Sequence, residues 1–156
     1  MVTTYKKIFS VSTFFAETRS SVASLISEKR PDRVHDEKGV DASGRNFHSW
    51  YLGTISINQV TPSYIELKNI CKIRRVDVGG FRVEQSVNGH LLGSAQINVP
   101  LILDPQEVVR FNHRHGKYLG QFFMDVDAFD NSVNARTSMF NYSEPDEERA
   151  WFVYLD

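Results

Sequence analysis

A chain of 156 residues with 41% hydrophobic and 24% charged side chains has the length of one domain and an ordinary globular balance, which excludes a disordered composition. One cysteine, Cys71, excludes an internal disulfide and a thiolate-rich zinc site, and no apolar run approaches the roughly 20 residues of a membrane span. The net charge of −1 hides an asymmetry: residues 1–120 carry sixteen Lys/Arg against eleven Asp/Glu, residues 121–156 two against eight, a polarity open to neutralisation within one molecule or between two.

Lys6 and Lys7 precede a semi-apolar run from Ile8 to Ala16, but Ser10, Ser12 and Thr13 interrupt it and no small-residue cleavage site follows. The segment therefore reads as part of the fold, and the protein as cytoplasmic or virion-associated. From Ser12 to Glu28 the side chains of Phe15, Thr18, Val22, Leu25 and Ile26 recur on one helical stripe, which predicts an N-terminal helix ended by Pro31. Residues 29–46 hold nine charges, one proline and two glycines, the composition of an exposed charged loop.

The period then changes to two. Residues 46–60 alternate Trp50 and Leu52 against Tyr51, Ile55 and Ile57, as one strand would. Thr61-Pro62-Ser63 turns the chain, and the next run sets Ile65, Leu67, Cys71 and Ile73 on one face. Gly79-Gly80 breaks that run. Asn88-Gly89 lies between two further strand patterns and marks a hairpin with a type I′ turn. Asp104, Pro105 and Glu107 match N-cap, N1 and N3 positions, which predicts a short internal helix reaching Asn112. Strand patterns follow over Lys117–Phe129, Val133–Tyr142 and Ala150–Asp156, with an acidic turn at 143–149. The whole reads as a mainly β single domain spanning 1–156: an antiparallel β-sandwich, jelly-roll-like, or a barrel, of about seven strands with two helices. Trp50, Leu52, Ile65, Leu67, Phe122, Met124, Val126, Trp151 and Val153 are its expected core.

Five basic or imidazole side chains crowd into Arg110–Lys117: Arg110, His113, Arg114, His115 and Lys117. His113-x-His115 supplies two imidazoles, but no acid follows within a few residues and the neighbouring cations would repel a metal, so no metal or other cofactor is expected. An anion- or partner-binding loop fits the charge better, with Lys72, Arg74, Arg75 and Arg82 as a second basic group of which Arg74 and Arg75 join the candidate contact; the bland reading is a solvated loop. Asp125, Asp127 and Asp130 fail the EF-hand pattern, because Asp130 and Arg136 stand where glycine and glutamate are required. Catalytic signatures are missing: no G-x-S-x-G, no phosphate loop, and a lone Cys71 on an apolar face.

Three functional classes remain. The favoured one is a non-enzymatic, self-associating structural protein, such as a viral or phage capsid, tail or matrix component, in which Glu144, Asp146, Glu147 and Glu148 meet basic groups of a neighbour. The alternative is a small-ligand or anion-binding module, contacting RNA or lipid headgroups through the basic loop. An unrecognised enzyme is third.

Overall fold

The computed structural model describes residues 33–116, 122–142 and 144–156. Alternation of apolar and polar side chains generates β1 (Val34–Val40), β2 (Asn46–Leu52), β3 (Ile55–Val60), β4 (Tyr64–Asn69), β5 (Val76–Asp77) and β6 (Arg82–Val87). The remaining strands are β7 (His90–Gln96), β8 (Ile102–Leu103), β9 (Val108–Asn112), β10 (Phe122–Phe123), β11 (Ala135–Phe140) and β12 (Glu148–Tyr154). One sheet has the order β1-β2-β12-β11-β6-β7, a second has β10-β9-β4-β3, and β5 pairs with β8 in a small ribbon. All pairings are antiparallel except β10 with β9.

The two sheets share one core. Val83, Met139 and Phe152 from the larger sheet and Ile65, Leu67 and Phe111 from the smaller are all essentially buried, as is Met124 just after β10. This is the sandwich arrangement, mainly β and antiparallel, without a helix among the described residues.

Several local expectations need correction. Within the charged stretch at 29–46, Val34–Val40 is a strand and 41–45 a turn: β1 pairs along its length with β2, from Val34 against Leu52 to Val40 against Asn46. Its exposure was readable, its pairing was not, because an edge strand bearing Asp36, Glu37 and Lys38 has the composition of a loop. The single strand at 46–60 is two. Gly53, at φ 88°, reverses the chain and sends β2 and β3 into different sheets. The N-terminal helix lies outside the described residues.

The internal helix is replaced by a turn and by β9. Pro105 and Gln106 occupy the middle of that turn, with Gln106 at φ 67°, as a type II turn requires at its third position. Asp104 N–H donates to Glu107 Oε1 (2.8 Å), and Glu107 N–H donates to Asp104 O (3.0 Å). The side-chain bond is the one a capping box would make, so the two motifs share a signature. By contrast Asn88 (φ 52°) and Gly89 (φ 81°) form the expected hairpin turn between β6 and β7.

The expected core divides by strand. Ile65, Leu67, Met124 and Val126 are buried. On β2 and β12 the faces are reversed: Tyr51, Ala150, Phe152 and Tyr154 point inward, while Trp50, Leu52, Trp151 and Val153 are half-buried on the outer face. Phe122 is half-buried, and Ile73 is exposed in the loop after β4.

Two hydrogen-bonded polar side chains, one fully buried and one half-exposed, fix this framework. Asn69, fully buried at the end of β4, donates from Nδ2 toward the carbonyls of Arg74 (2.8 Å), Asp104 (3.2 Å) and Leu103 (3.3 Å), and accepts the Cys71 N–H at Oδ1 (3.0 Å). Asp41, in the β1–β2 turn, accepts Ser43 and Arg45 N–H groups, the Ser43 hydroxyl (2.6 Å) and the Tyr154 hydroxyl (2.6 Å). Burial pushes the Asp41 pKa up, yet these hydrogen bonds outweigh it and hold the carboxyl at about 2.

Replacing Asn69 with leucine strands several carbonyls and one N–H at once. It should cost about 3 kcal/mol in urea unfolding at pH 7. For Asp41 the folded pKa lies below the unfolded one, so its stabilisation is complete above the ordinary carboxylate range and is lost as pH falls toward 2. The stability gap between wild type and Asp41→Asn should therefore be widest at neutral pH and narrow steadily below about pH 4. A gap that stays constant across that window refutes the assignment.

Candidate functional site

The structure separates the two basic groups that the sequence suggested. Arg74 and Arg75 sit beyond the end of β4, near the Asp104–Glu107 turn that begins β9. The His113–Gly116 loop follows the other end of β9, so the groups are about 17 Å apart along the strand. Lys117 lies outside the described residues.

Most of the basic stretch is engaged within the molecule. Arg110 donates from Nε to Glu66 Oε1 (2.9 Å) and lies 4.0 Å from the Tyr64 ring centroid. Glu66 is buried and also accepts from Asn58 Nδ2 (2.5 Å). Arg114 donates to Asp125 Oδ1 and Asp127 Oδ1, both at 2.8 Å, and those carboxylates strengthen its hold on its proton. His115 Nε2 lies 3.1 Å from Asp127 Oδ1, while His113 Nδ1 accepts the His115 N–H (3.1 Å). Among the described residues no group of three His, Cys, Asp or Glu side chains is arranged to hold a metal.

The second basic group lines a recess. A cavity of about 310 Å³ opens where the β2–β3 turn, β5 and the start of β12 converge. Leu52, Ile55, Val76, Phe81 and Met139 make its apolar lining; Arg74, Arg75 and Arg149 supply positive charge against one carboxylate, Asp77. Arg75 Nε pairs with Asp104 (3.1 Å), Arg149 Nη1 is 3.8 Å from Glu147, and Asp77 Oδ1 accepts the Gly79 N–H (2.8 Å). A guanidinium carries five donors and a carboxylate engages two of them, so paired arginines still present donors to an incoming anion. Arg149 was not foreseen, because 74 residues of chain separate it from Arg75 and only the fold brings them together.

Beside the recess is the acidic turn. Its carboxylates differ in use: Glu148 is bound to Arg136 (2.5 Å), whereas Glu144, Asp146 and Glu147 are exposed. Tyr142 is 72% exposed, and its Cβ packs on Gly80, next to Phe81 of the recess. On the outer face of the larger sheet Trp50 stands directly opposite Trp151, with His48 edge-on at 4.7 Å and the Arg136 guanidinium 4.9 Å from the Trp151 ring centroid.

The described residues form a β-sandwich with an arginine-lined recess, and sequence comparison shows what the chain is similar to. No family model matches the chain. It is 88% identical over 138 residues to intermediate filament protein ifc-2 of Caenorhabditis elegans, covering 88% of this chain and 22% of that protein. The ifc-2 protein of Caenorhabditis briggsae is 88% identical over 136 residues, covering 87% and 22%. Intermediate filament protein ifp-1 of C. elegans is 27% identical over 139 residues, covering 88% and 18%. The chain spans about a fifth of the length of these relatives. Over that span it is homologous to a segment of the intermediate filament protein ifc-2. The expected viral or phage component is thereby corrected: the relatives are nematode proteins.

The two arginines of the 110–117 stretch should respond differently to mutation. Arg110→Ala leaves the buried Glu66 carboxylate short of its cation and should lower stability by about 2 kcal/mol in chemical denaturation. Arg114→Ala, which breaks only exposed pairs, should leave the unfolding midpoint within error. Joint replacement of Arg110 and Glu66 by leucine should recover part of the loss.

Proposed function

We propose that this chain is a globular tail-type domain of a filament-forming cytoskeletal protein in the cytoplasm, and that it acts through contacts between filament molecules. The 88% identity to segments of ifc-2 proteins carries this reading. Its shape supports it: a filament axis needs a long repetitive element, whereas the described residues form short strands folded into a sandwich. The filament-forming part would then lie in the other four-fifths of the longer protein, with this domain displayed beside it. Of the basic groups, the recess at Arg74, Arg75 and Arg149 suits a partner surface better than the His113–His115 loop, where Asp125 and Asp127 already occupy Arg114.

Co-sedimentation tests the proposal. The purified chain should pellet with filaments assembled from an ifc-2 protein, and less of it should pellet as salt rises and screening shortens to about 8 Å near physiological ionic strength. A chain that stays in the supernatant at low salt overturns the reading.

A further inference from the structure

The acidic turn and the arginine-lined recess share one end of the sandwich. Gly80 supports Tyr142, Phe81 lines the recess, and Arg149 lies in its wall two residues after Glu147. The turn is shaped in advance: Glu144 N–H donates to Asn141 Oδ1 (2.9 Å), Glu147 N–H to Glu144 O (3.0 Å), and Arg82 Nη2 to Pro145 O (3.0 Å). It therefore presents an exposed tyrosine and three exposed carboxylates at little further cost in conformational entropy. The recess presents the complement, a lining that combines the apolar residues Ile55, Phe81 and Met139 with three arginines.

We infer that the recess receives the acidic turn of a second copy of this chain, with Tyr142 against its apolar lining and Asp146 and Glu147 against Arg74 and Arg149. Because protrusion and recess adjoin in one molecule, two copies related by a two-fold axis satisfy each other simultaneously. Such an isologous contact closes as a dimer. The alternative, a head-to-tail contact that propagates, needs the two patches to point away from each other. Exposed ion pairs contribute little individually, so the tyrosine in an apolar recess supplies the anchor while charge sets the register. The internal Glu147–Arg149 pair, at 3.8 Å, is long enough to be exchanged for an intermolecular one. Glu148 is excluded from the contact by its bond to Arg136.

This inference rests on the reading of the domain as one that works through contacts between filament molecules, and a charge-reversal exchange tests it separately. Sedimentation equilibrium of the chain at low salt should show a monomer–dimer equilibrium. Arg74→Glu/Arg149→Glu reverses the recess, and Asp146→Lys/Glu147→Lys reverses the turn at exposed positions where folding is unaffected. Each variant alone should dimerise roughly tenfold more weakly or worse. Mixed together they should form a heterodimer near wild-type strength, because one of its two contacts is then wild-type and the other is reversed on both sides, so both are opposite in sign. Tyr142→Ala should weaken the wild-type dimer without changing its salt dependence. A wild-type chain that is monomeric at every concentration, or a mixture that fails to recover, overturns the inference. A monomer that still pellets with filaments, and ceases to when the recess is reversed, overturns it in favour of an acidic segment of another protein. A dimer that does not pellet with filaments leaves this contact standing and removes the filament reading instead.

Discussion

The complete burial of one amide organises the end of the sandwich that carries its recess. Asn69 closes β4, and its side chain reaches three carbonyls from two other segments while taking the Cys71 N–H. Its main chain is equally committed, with N–H donated to Glu107 O (3.0 Å) and C=O accepting from Gln106 (2.9 Å). A buried polar group is tolerable only when it is satisfied, so the loop after β4 and the turn before β9 must both hold their positions. That double requirement holds Arg74 and Arg75 in the lining of the recess that Phe81 and Met139 share. The recess is thus a by-product of hydrogen-bond accounting in the core.

Charge is partitioned by the fold in a way the totals conceal. Part of the polarity between residues 1–120 and 121–156 is consumed within the molecule by Arg114 with Asp125 and Asp127 at one end of β9, whereas Arg136 with Glu148 pairs across β11 and β12 inside the acidic half. The exposed carboxylates of the 144–147 turn and the guanidiniums lining the recess gather at the opposite end. The same logic governs the sheet edge. β1 bears Asp36, Glu37 and Lys38 on an exposed strand, an arrangement that discourages further strand addition there.

The β class, the Asn88-Gly89 hairpin and the strands at β4, β6, β11 and β12 were legible because turn chemistry and period-two alternation are local signals. Legibility failed where one local signal serves two structures. Asp104-Pro-Gln-Glu107 opens a helix or makes a type II turn with the same side-chain bond, and the β-branched pair Val108-Val109 after it was the discriminating feature. On β2 and β12 both faces carry large apolar side chains, so alternation fixes the period and leaves the phase open. The phase went to Tyr51 and Tyr154, whose hydroxyls reach Glu37 and Asp41 at the sheet margin. Tryptophan is rarely buried completely, and both tryptophans took the outer face. The recess had no local signature at all, since its lining runs from Leu52 to Arg149.

That outward tryptophan pair has a spectroscopic consequence. Trp50 and Trp151 are the only indoles in the chain, and they stand opposite each other in register between β2 and β12. The intrinsic ultraviolet emission of the molecule therefore originates from a single patch of one sheet's outer face, with an imidazole and a guanidinium as immediate neighbours. The two emitters are close enough to exchange excitation, so they act as one lamp. It illuminates whatever settles on that face and stays nearly blind to rearrangements between the sheets.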